Sequence, residues 1–331
     1  MTSNNNVICD LSRHNTLCDL SHLGLLEISG ADAVTFLQGQ VTNDVKLLNG
    51  SNAQHNAHLS AYCNPTGRML ALFLAFSHGN NLYLQFNCEL LEPIMKRLKM
   101  YVMRSKVEIK DVSDSLIRFG INGLEATSML GLVFPKIPTE DYELITLDNV
   151  TILKLPSTIG ARYEVVTDAN NAPAIWDALK TKCEIVEKSH WDWLEIQAGI
   201  PDITLKTQEQ FVPQMLNLDI LNGINFKKGC YTGQEIVART HYLGSVKRRT
   251  YLANICPESQ YPCGLQAGDK ILDALQNEVG QIVRVAPDCD PNHENGFDVL
   301  AEMRIDAQQT GEIYWNNLKL KTKELPYSLE V

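Results

Sequence analysis

One order of elements recurs along the first two thirds of this chain: a short apolar strand, a helix, then paired strands. Residues 25–28 read as a strand, Ser29, Gly30 and Asp32 as turn and helix-start residues, and Ala33, Phe36 and Leu37 share one helical face. Asn64-Pro65-Thr66-Gly67 has the chemistry of a tight turn and separates two apolar runs, 59–62 and 69–76. That predicts an antiparallel hairpin. Residues 82–86 read as a further strand, and 91–103 as a basic-faced helix with Pro93 in its first turn. The pattern repeats with strands at 107–109, 116–121, 151–155, 163–166 and 183–186, and with helices at 126–132 and 174–182. The stretch 135–148 is polar and reads as a loop. This order argues for α+β units with antiparallel sheets. No Gly-x-Gly-x-x-Gly follows a strand, which argues against a dinucleotide-binding parallel sheet.

From about Lys247 the texture changes. Five strand-like runs (249–254, 270–272, 279–285, 299–305 and 318–321) are separated by Gly, Pro, Asn and Asp, as in a small all-β barrel. We place a domain boundary there, with residues 1–246 forming two interleaved α+β subdomains and 247–331 the barrel. A length of 331 residues fits two or three cores better than one.

The formal net charge of −10 has the wrong sign for a duplex-binding protein, so stable direct binding of nucleic acid is not expected. Two local basic clusters, Lys96/Arg97/Lys99 and Lys247/Arg248/Arg249, read most simply as solvated surface charge. The nine cysteines are scattered and contain no Cys-x-x-Cys pair, which fits neither a disulfide framework nor a zinc site and suits a reducing cytosol. His55 and His58 lack a partner pair and read as non-metal residues. The polar N-terminus has no basic region preceding an apolar core, and the run 69–76 is too short to cross a bilayer as a helix. A cytoplasmic protein without membrane attachment is expected.

The densest chemical signal is the string Phe226-Lys227-Lys228-Gly229-Cys230-Tyr231-Thr232-Gly233-Gln234-Glu235, followed by a helix-competent segment through Arg239. Glycines bracket the turn and permit close approaches that a Cβ forbids. A cysteine just before a helix N-terminus, beside Lys227 and Lys228, is placed to favour thiolate, which makes Cys230 the candidate functional thiol. The plain alternative is a structural cysteine in a glycine-rich turn. A cysteine hydrolase or thiol oxidoreductase would also need a positioned base or a resolving thiol. The nearest base in sequence is His241.

Lys228-Gly229-Cys230-Tyr231-x-Gly233-Gln234-Glu235 resembles the signature of the YgfZ family of folate-binding proteins. Ala198-Gly199-Ile200-Pro201, Phe211-Val212-Pro213-Gln214, Gly30-Ala31-Asp32 and Gln38-Gly39-Gln40-Val41-Thr42-Asn43-Asp44-Val45 lie in the same order as in that family. The resemblance covers nearly the whole chain and is weakest at 105–185. It implies the fold of the glycine-cleavage T protein: two ferredoxin-like domains around a central opening that holds tetrahydrofolate, plus a C-terminal β-barrel. It also implies partners among iron–sulfur enzymes, tRNA methylthiotransferases included, and a role in iron–sulfur maintenance and tRNA modification.

The resemblance further implies that Trp191 forms a wall of the folate pocket, with Trp193 as an alternative. On periodicity alone, Trp191, Leu194 and Ala198 share a helix face and read as core. A second family tryptophan aligns with Leu23, which has no π-face to offer. Arg239, Lys247 and Arg248 are candidates to hold the glutamate tail of folate. In the T protein, the segment matching residues 64–70 is followed by an acidic pair central to methylene transfer. Here those positions are Ala71 and Leu72, which can neither take a proton nor stabilise a cation. The expectation is a folate pocket without an ionisable carboxyl at its base. A folate-dependent one-carbon transferase is the alternative reading.

Overall fold

The computed structural model describes residues 14–48, 57–256, 264–289 and 296–329. His55, Cys9, Cys263 and the N-terminal hexapeptide lie outside the described residues.

The first half begins with β1 (Thr16–Asp19), β2 (Leu23–Ser29), α1 (Ala33–Gln38), β3 (Ala57–Cys63), β4 (Met69–His78), β5 (Asn81–Asn87), α2 (Leu91–Val102) and β6 (Glu108–Asp111). Five of these strands form one antiparallel sheet in the order β3-β4-β5-β2-β6. The Asn64–Gly67 turn joins β3 to β4 as its chemistry predicts, with Asn64 Oδ1 accepting from the backbone N–H of Thr66 and Arg68 at 3.0 Å each. Most of β4 is buried, because the sheet is covered on both faces.

A second run follows: β7 (Leu116–Gly123), α3 (Ala126–Leu130), β8 (Leu144–Leu147), β9 (Val150–Leu155), β10 (Ala161–Asp168), α4 (Ala172–Lys180), β11 (Glu184–Val186) and α5 (Lys188–Gln197). Its sheet is ordered β11-β1-β7-β10-β9-β8, so β1, the first described strand, belongs to the second sheet. It pairs parallel with β11 and antiparallel with β7. The polar stretch read as a loop contains β8, four residues that hairpin onto β9 through Asp148 at φ +52°. Four residues are too few to reveal a strand period, which also hides β1.

After α6 (Gln234–Tyr242) come β12 (Arg248–Ile255), β13 (Lys270–Asp273), β14 (Glu278–Pro287), β15 (Phe297–Arg304), α7 (Ile305–Thr310), β16 (Ile313–Trp315) and β17 (Leu318–Thr322). The six strands close in the order β12-β15-β14-β13-β16-β17 around Ile271, Val279, Ile282, Val299, Met303 and Trp315. Five of them coincide with the runs read from sequence. The three-residue β16 does not, and Ile305 starts α7 instead of ending a strand.

Helix α5 joins the barrel to the sheets. Trp193 Nε1 donates to Asp298 Oδ2 at 3.0 Å, and Arg284 of β14 donates to Asp192 at 2.7 Å. Below it, Arg249 of β12 makes a two-pronged, buried pair with Asp219, at 2.6 and 2.9 Å.

Candidate functional site

Strands β4, β5 and β10, helix α5 and the segment after it enclose a cavity. It adjoins a chamber of about 1140 Å³ lined by residues 57–59, 140–142, 156–158, 220–222 and 224–227 and by Pro326 and Tyr327. Leu59, Tyr142, Pro156 and Ile200 line both compartments, so the inner slot and the chamber are neighbours.

The walls of the inner slot are apolar: Leu23, Leu59, Leu72, Leu74, Phe86 and Trp191. Trp191 is 2% exposed, with the Arg162 guanidinium 5.2 Å from its ring centre. The ring packs against β7 at Gly120, where a Cβ would stand 2.2 Å from a ring carbon. Leu23 lines the slot, and its carbonyl also accepts from Arg118 Nη2 at 2.8 Å. Trp193 is turned away to Asp298 and does not line the slot.

The floor is polar, and sequence reasoning missed it. Ala71 and Leu72 bring no acid, and Leu72 lines the slot as a hydrocarbon. Yet the expectation of a base free of ionisable carboxyls is not met, because Glu164, Glu195 and Asp202 line it from other elements. Glu164 Oε2 accepts from Gln85 Nε2 at 2.8 Å. Burial pushes the Glu164 carboxyl up to about 7, against the Gln85 hydrogen bond and the Arg118 charge. Burial likewise raises Asp202, whose Oδ2 accepts from Asn87 at 3.2 Å. Glu195 lies between Arg162 at 3.0 Å and Arg284 at 3.8 Å, and Arg284 continues to Asp192. Burial works against ionised Asp192, but Arg284 and Lys188 together hold its carboxyl below the usual range. The signal for this floor was available in β10. Arg162 and Glu164 occupy alternate positions of this largely buried strand, so both face inward with Val166 while Tyr163 and Val165 face the other core.

Several buried polar atoms of this floor have no hydrogen-bond partner among the described residues: Gln85 Oε1, Glu164 Oε1, and Nε and Nη2 of Arg162. Native proteins seldom leave such atoms unpaired, because each costs about 1–3 kcal/mol. These unpartnered acceptors and guanidinium donors, beside apolar walls, are groups that a flat ligand with a hydrogen-bonding edge would satisfy.

The glycine-rich motif lies elsewhere. Gly233, at φ +84°, packs on the Asn64–Gly67 turn, where a Cβ would meet the Asn64 carbonyl at 2.5 Å. That close approach demands glycine, whereas Gly229 has open space around it. Cys230 is exposed and does not line the cavity. The Lys228 ammonium turns inward and donates to the carbonyls of Gln38, Val41 and Asn43 at 2.7, 2.5 and 2.9 Å, with Tyr231 5.0 Å away. Gln234 and Glu235 open α6, and Arg239 lies in its last turn. His241 stacks on Phe226, ring centres 3.8 Å apart. Arg239, Lys247 and Arg248 do not line the chamber, and Arg248 is committed to Glu302. The cations lining the chamber are Lys154, held by Asp141, and Lys227. His58 lines the chamber, and no cluster suited to a metal ion occurs among the described residues. Nor is any described helix long and apolar enough to cross a membrane.

The fold places the chain in a known structural class. It superposes on the glycine cleavage system aminomethyltransferase T from Bartonella henselae with a TM-score of 0.75 at 16% identity, covering 96% of this chain and 88% of that one. Residues 9–191 match the GCVT N-terminal domain family. Within that class the sequence is 33% identical to the tRNA-modifying protein YgfZ of Escherichia coli (strain SE11), over 95% of this chain and 94% of its relative. The same identity holds with the tRNA-modifying protein YgfZ of Yersinia pestis (strain Pestoides F), over 95% and 93%. The chain belongs to the YgfZ family.

Proposed function

We propose that this protein is a cytoplasmic tetrahydrofolate-binding accessory protein that supports tRNA modification, methylthiolation included, by sustaining iron–sulfur enzymes. The observation that carries the folate part is the pair of buried, unpartnered acceptors, Gln85 Oε1 and Glu164 Oε1, at the end of the apolar slot. The pterin ring presents a 2-amino group and an adjacent ring N–H on one edge, which suits these acceptors. Leu23, Leu72 and Trp191 cover its faces and edges. The chamber has room for the aminobenzoyl group, and Lys227, which lines it, is placed for the glutamate carboxylate. Cys230 is exposed at the outer surface and is the thiol through which a partner or its cluster is contacted. The names of the curated relatives support the tRNA part.

Titrating tryptophan fluorescence with tetrahydrofolate tests the pocket. Quenching that saturates in wild type and is lost in Trp191→Ala is expected, and wild type without saturable quenching ends the folate reading. A deletion strain complemented with Cys230→Ala tests the thiol, where full restoration of tRNA methylthiolation removes its role.

One observation favours a second reading, a folate-dependent one-carbon transferase. Glu164, raised to about 7, is poised to exchange a proton near neutrality. Turnover of tetrahydrofolate with an aminomethyl donor, abolished in Glu164→Gln, would establish that reading over the accessory role.

A further inference from the structure

Three arginines stand at or beside the slot, and they are not engaged alike. Arg284 is taken up by Asp192, Glu195 and the Ile200 carbonyl. Arg118 gives Nη2 to the carbonyls of Leu23 and Ser113 and does not line the slot. Arg162 does line it, at 1% exposure. Its Nη1 faces Glu195 Oε1 at 3.0 Å, while Nε and Nη2 have no hydrogen-bond partner among the described residues. Nε and Nη2 share one edge of the planar guanidinium, so the free groups form a rigid fork of two parallel donors. Two unsatisfied sets therefore line one slot: donors on Arg162, and acceptors at Gln85 Oε1 and Glu164 Oε1. Arg162 and Glu164 lie two residues apart on β10 and face the same way. Their backbones are roughly 7 Å apart along the strand, about the span of a fused two-ring heterocycle.

We propose that the Arg162 fork reads the carbonyl edge of the pterin, donating to the 4-oxo oxygen and to ring N5, and so makes the slot select 4-oxo over 4-amino pteridines. The inference rests on the folate reading and adds the residue that decides which pteridines are accepted. An anion is the poorer partner for this fork, because the carboxyl groups of Glu164, Glu195 and Asp202 line the same slot and oppose a further negative charge. A neutral oxygen and ring nitrogen side by side are what an arginine fork meets on the O6/N7 edge of guanine, its commonest specific base contact. The 4-oxo/N5 edge of a pterin has the same shape, and N5 keeps a lone pair in folate and tetrahydrofolate alike. A 4-amino group would set N–H against N–H and leave buried donors unpaired, which is how a polar site rejects an analogue.

The test is isothermal titration calorimetry with folic acid and aminopterin, which differ only in carrying a 4-oxo or a 4-amino group. Wild type should bind folic acid at least about tenfold more tightly. Arg162→Lys keeps a positive charge for Glu195 but has no planar fork, and should weaken folic acid until the two affinities lie within about threefold. 5-Deazafolic acid, in which C–H replaces N5, should bind wild type at least about fivefold more weakly than folic acid, and serves if the variant misfolds. Wild type that binds neither folic acid nor tetrahydrofolate overturns the folate reading and this inference with it. Wild type that binds folic acid and takes aminopterin as tightly or more tightly leaves the folate reading standing and overturns the role of Arg162. An unchanged preference in folded Arg162→Lys, or undiminished binding of 5-deazafolic acid, does the same. Guanosine monophosphate carries the same two edges without the aminobenzoyl-glutamate. Its binding more tightly than folic acid would assign the slot to a purine nucleotide and overturn the pterin.

Discussion

The Trp191 ring lies against Gly120, leaving no room for a Cβ, which would fall 2.2 Å from one ring carbon and 2.5 Å from another. Gly120 is paired with Glu164 across β7 and β10, so one pair of residues sets both the position of the tryptophan wall and that of the acid on the floor. Gly120→Ala should therefore push Trp191 into the slot. Because the ring is buried and cannot swing to solvent, the strain should cost about 1–3 kcal/mol. Urea denaturation measures that cost, and tetrahydrofolate quenching should weaken in parallel. An alanine variant with wild-type stability and quenching would mean that the ring is free to move.

The Arg249–Asp219 pair fastens the barrel to the segment between α5 and α6, with Arg249 Nη1 also donating to the Gln214 carbonyl at 3.0 Å. Arg249→Ala leaves a buried carboxylate without its counter-charge and should cost about 3–5 kcal/mol. The expected signature in urea is an earlier midpoint. Arg249→Ala/Asp219→Ala should be less destabilised than Arg249→Ala alone, since it removes the stranded charge.

Lys228 was singled out as a positive neighbour for the Cys230 thiol, but its three protons go to the carbonyls of Gln38, Val41 and Asn43. Burial lowers its ammonium to about 8. Lys228→Met should leave those carbonyls unpaired and destabilise the protein by at least about 2 kcal/mol. The reactivity of Cys230 toward iodoacetamide should change far less than that stability. A large fall in thiol reactivity without loss of stability would return Lys228 to the role of thiolate partner.

How much of this was legible in sequence depended on the length over which a signal is spread. The Asn64–Gly67 turn announced its hairpin because both flanking strands are long and apolar. Leu23 and Trp191 were placed in the slot through the family resemblance, since periodicity alone made Trp191 a core residue, and at 2% exposure it is that as well. The floor was not found, because Gln85, Glu164, Glu195 and Asp202 are far apart in the chain and meet only when β5, β10, α5 and the following loop converge. Lys228 misled for a related reason. Sequence proximity to Cys230 says nothing about which way an ammonium turns, and the 38–43 carbonyls that hold it are almost two hundred residues away.

Glu164 gives the protein a pH dependence whose sign follows from its burial. Its folded pKa of about 7 lies above the 4.5 of a free glutamate side chain, so between those values the native state holds a proton that the unfolded chain has released. The contribution is fully present below pH 4.5 and is lost as pH rises through 7. The shift corresponds to about 3 kcal/mol. Glu164→Gln keeps a neutral side chain at every pH and still accepts from Gln85, so the difference in stability between wild type and variant isolates this one group. Urea midpoints measured from pH 4.5 to 8 should converge at the acid end and separate in favour of the variant above pH 7. Saturating tetrahydrofolate should shrink that separation, because an N–H edge set against Oε1 stabilises the ionised carboxylate and draws its pKa down. If the two profiles run parallel across the whole range, Glu164 titrates in the fold as it does in the unfolded chain and the floor is wetter than its burial indicates.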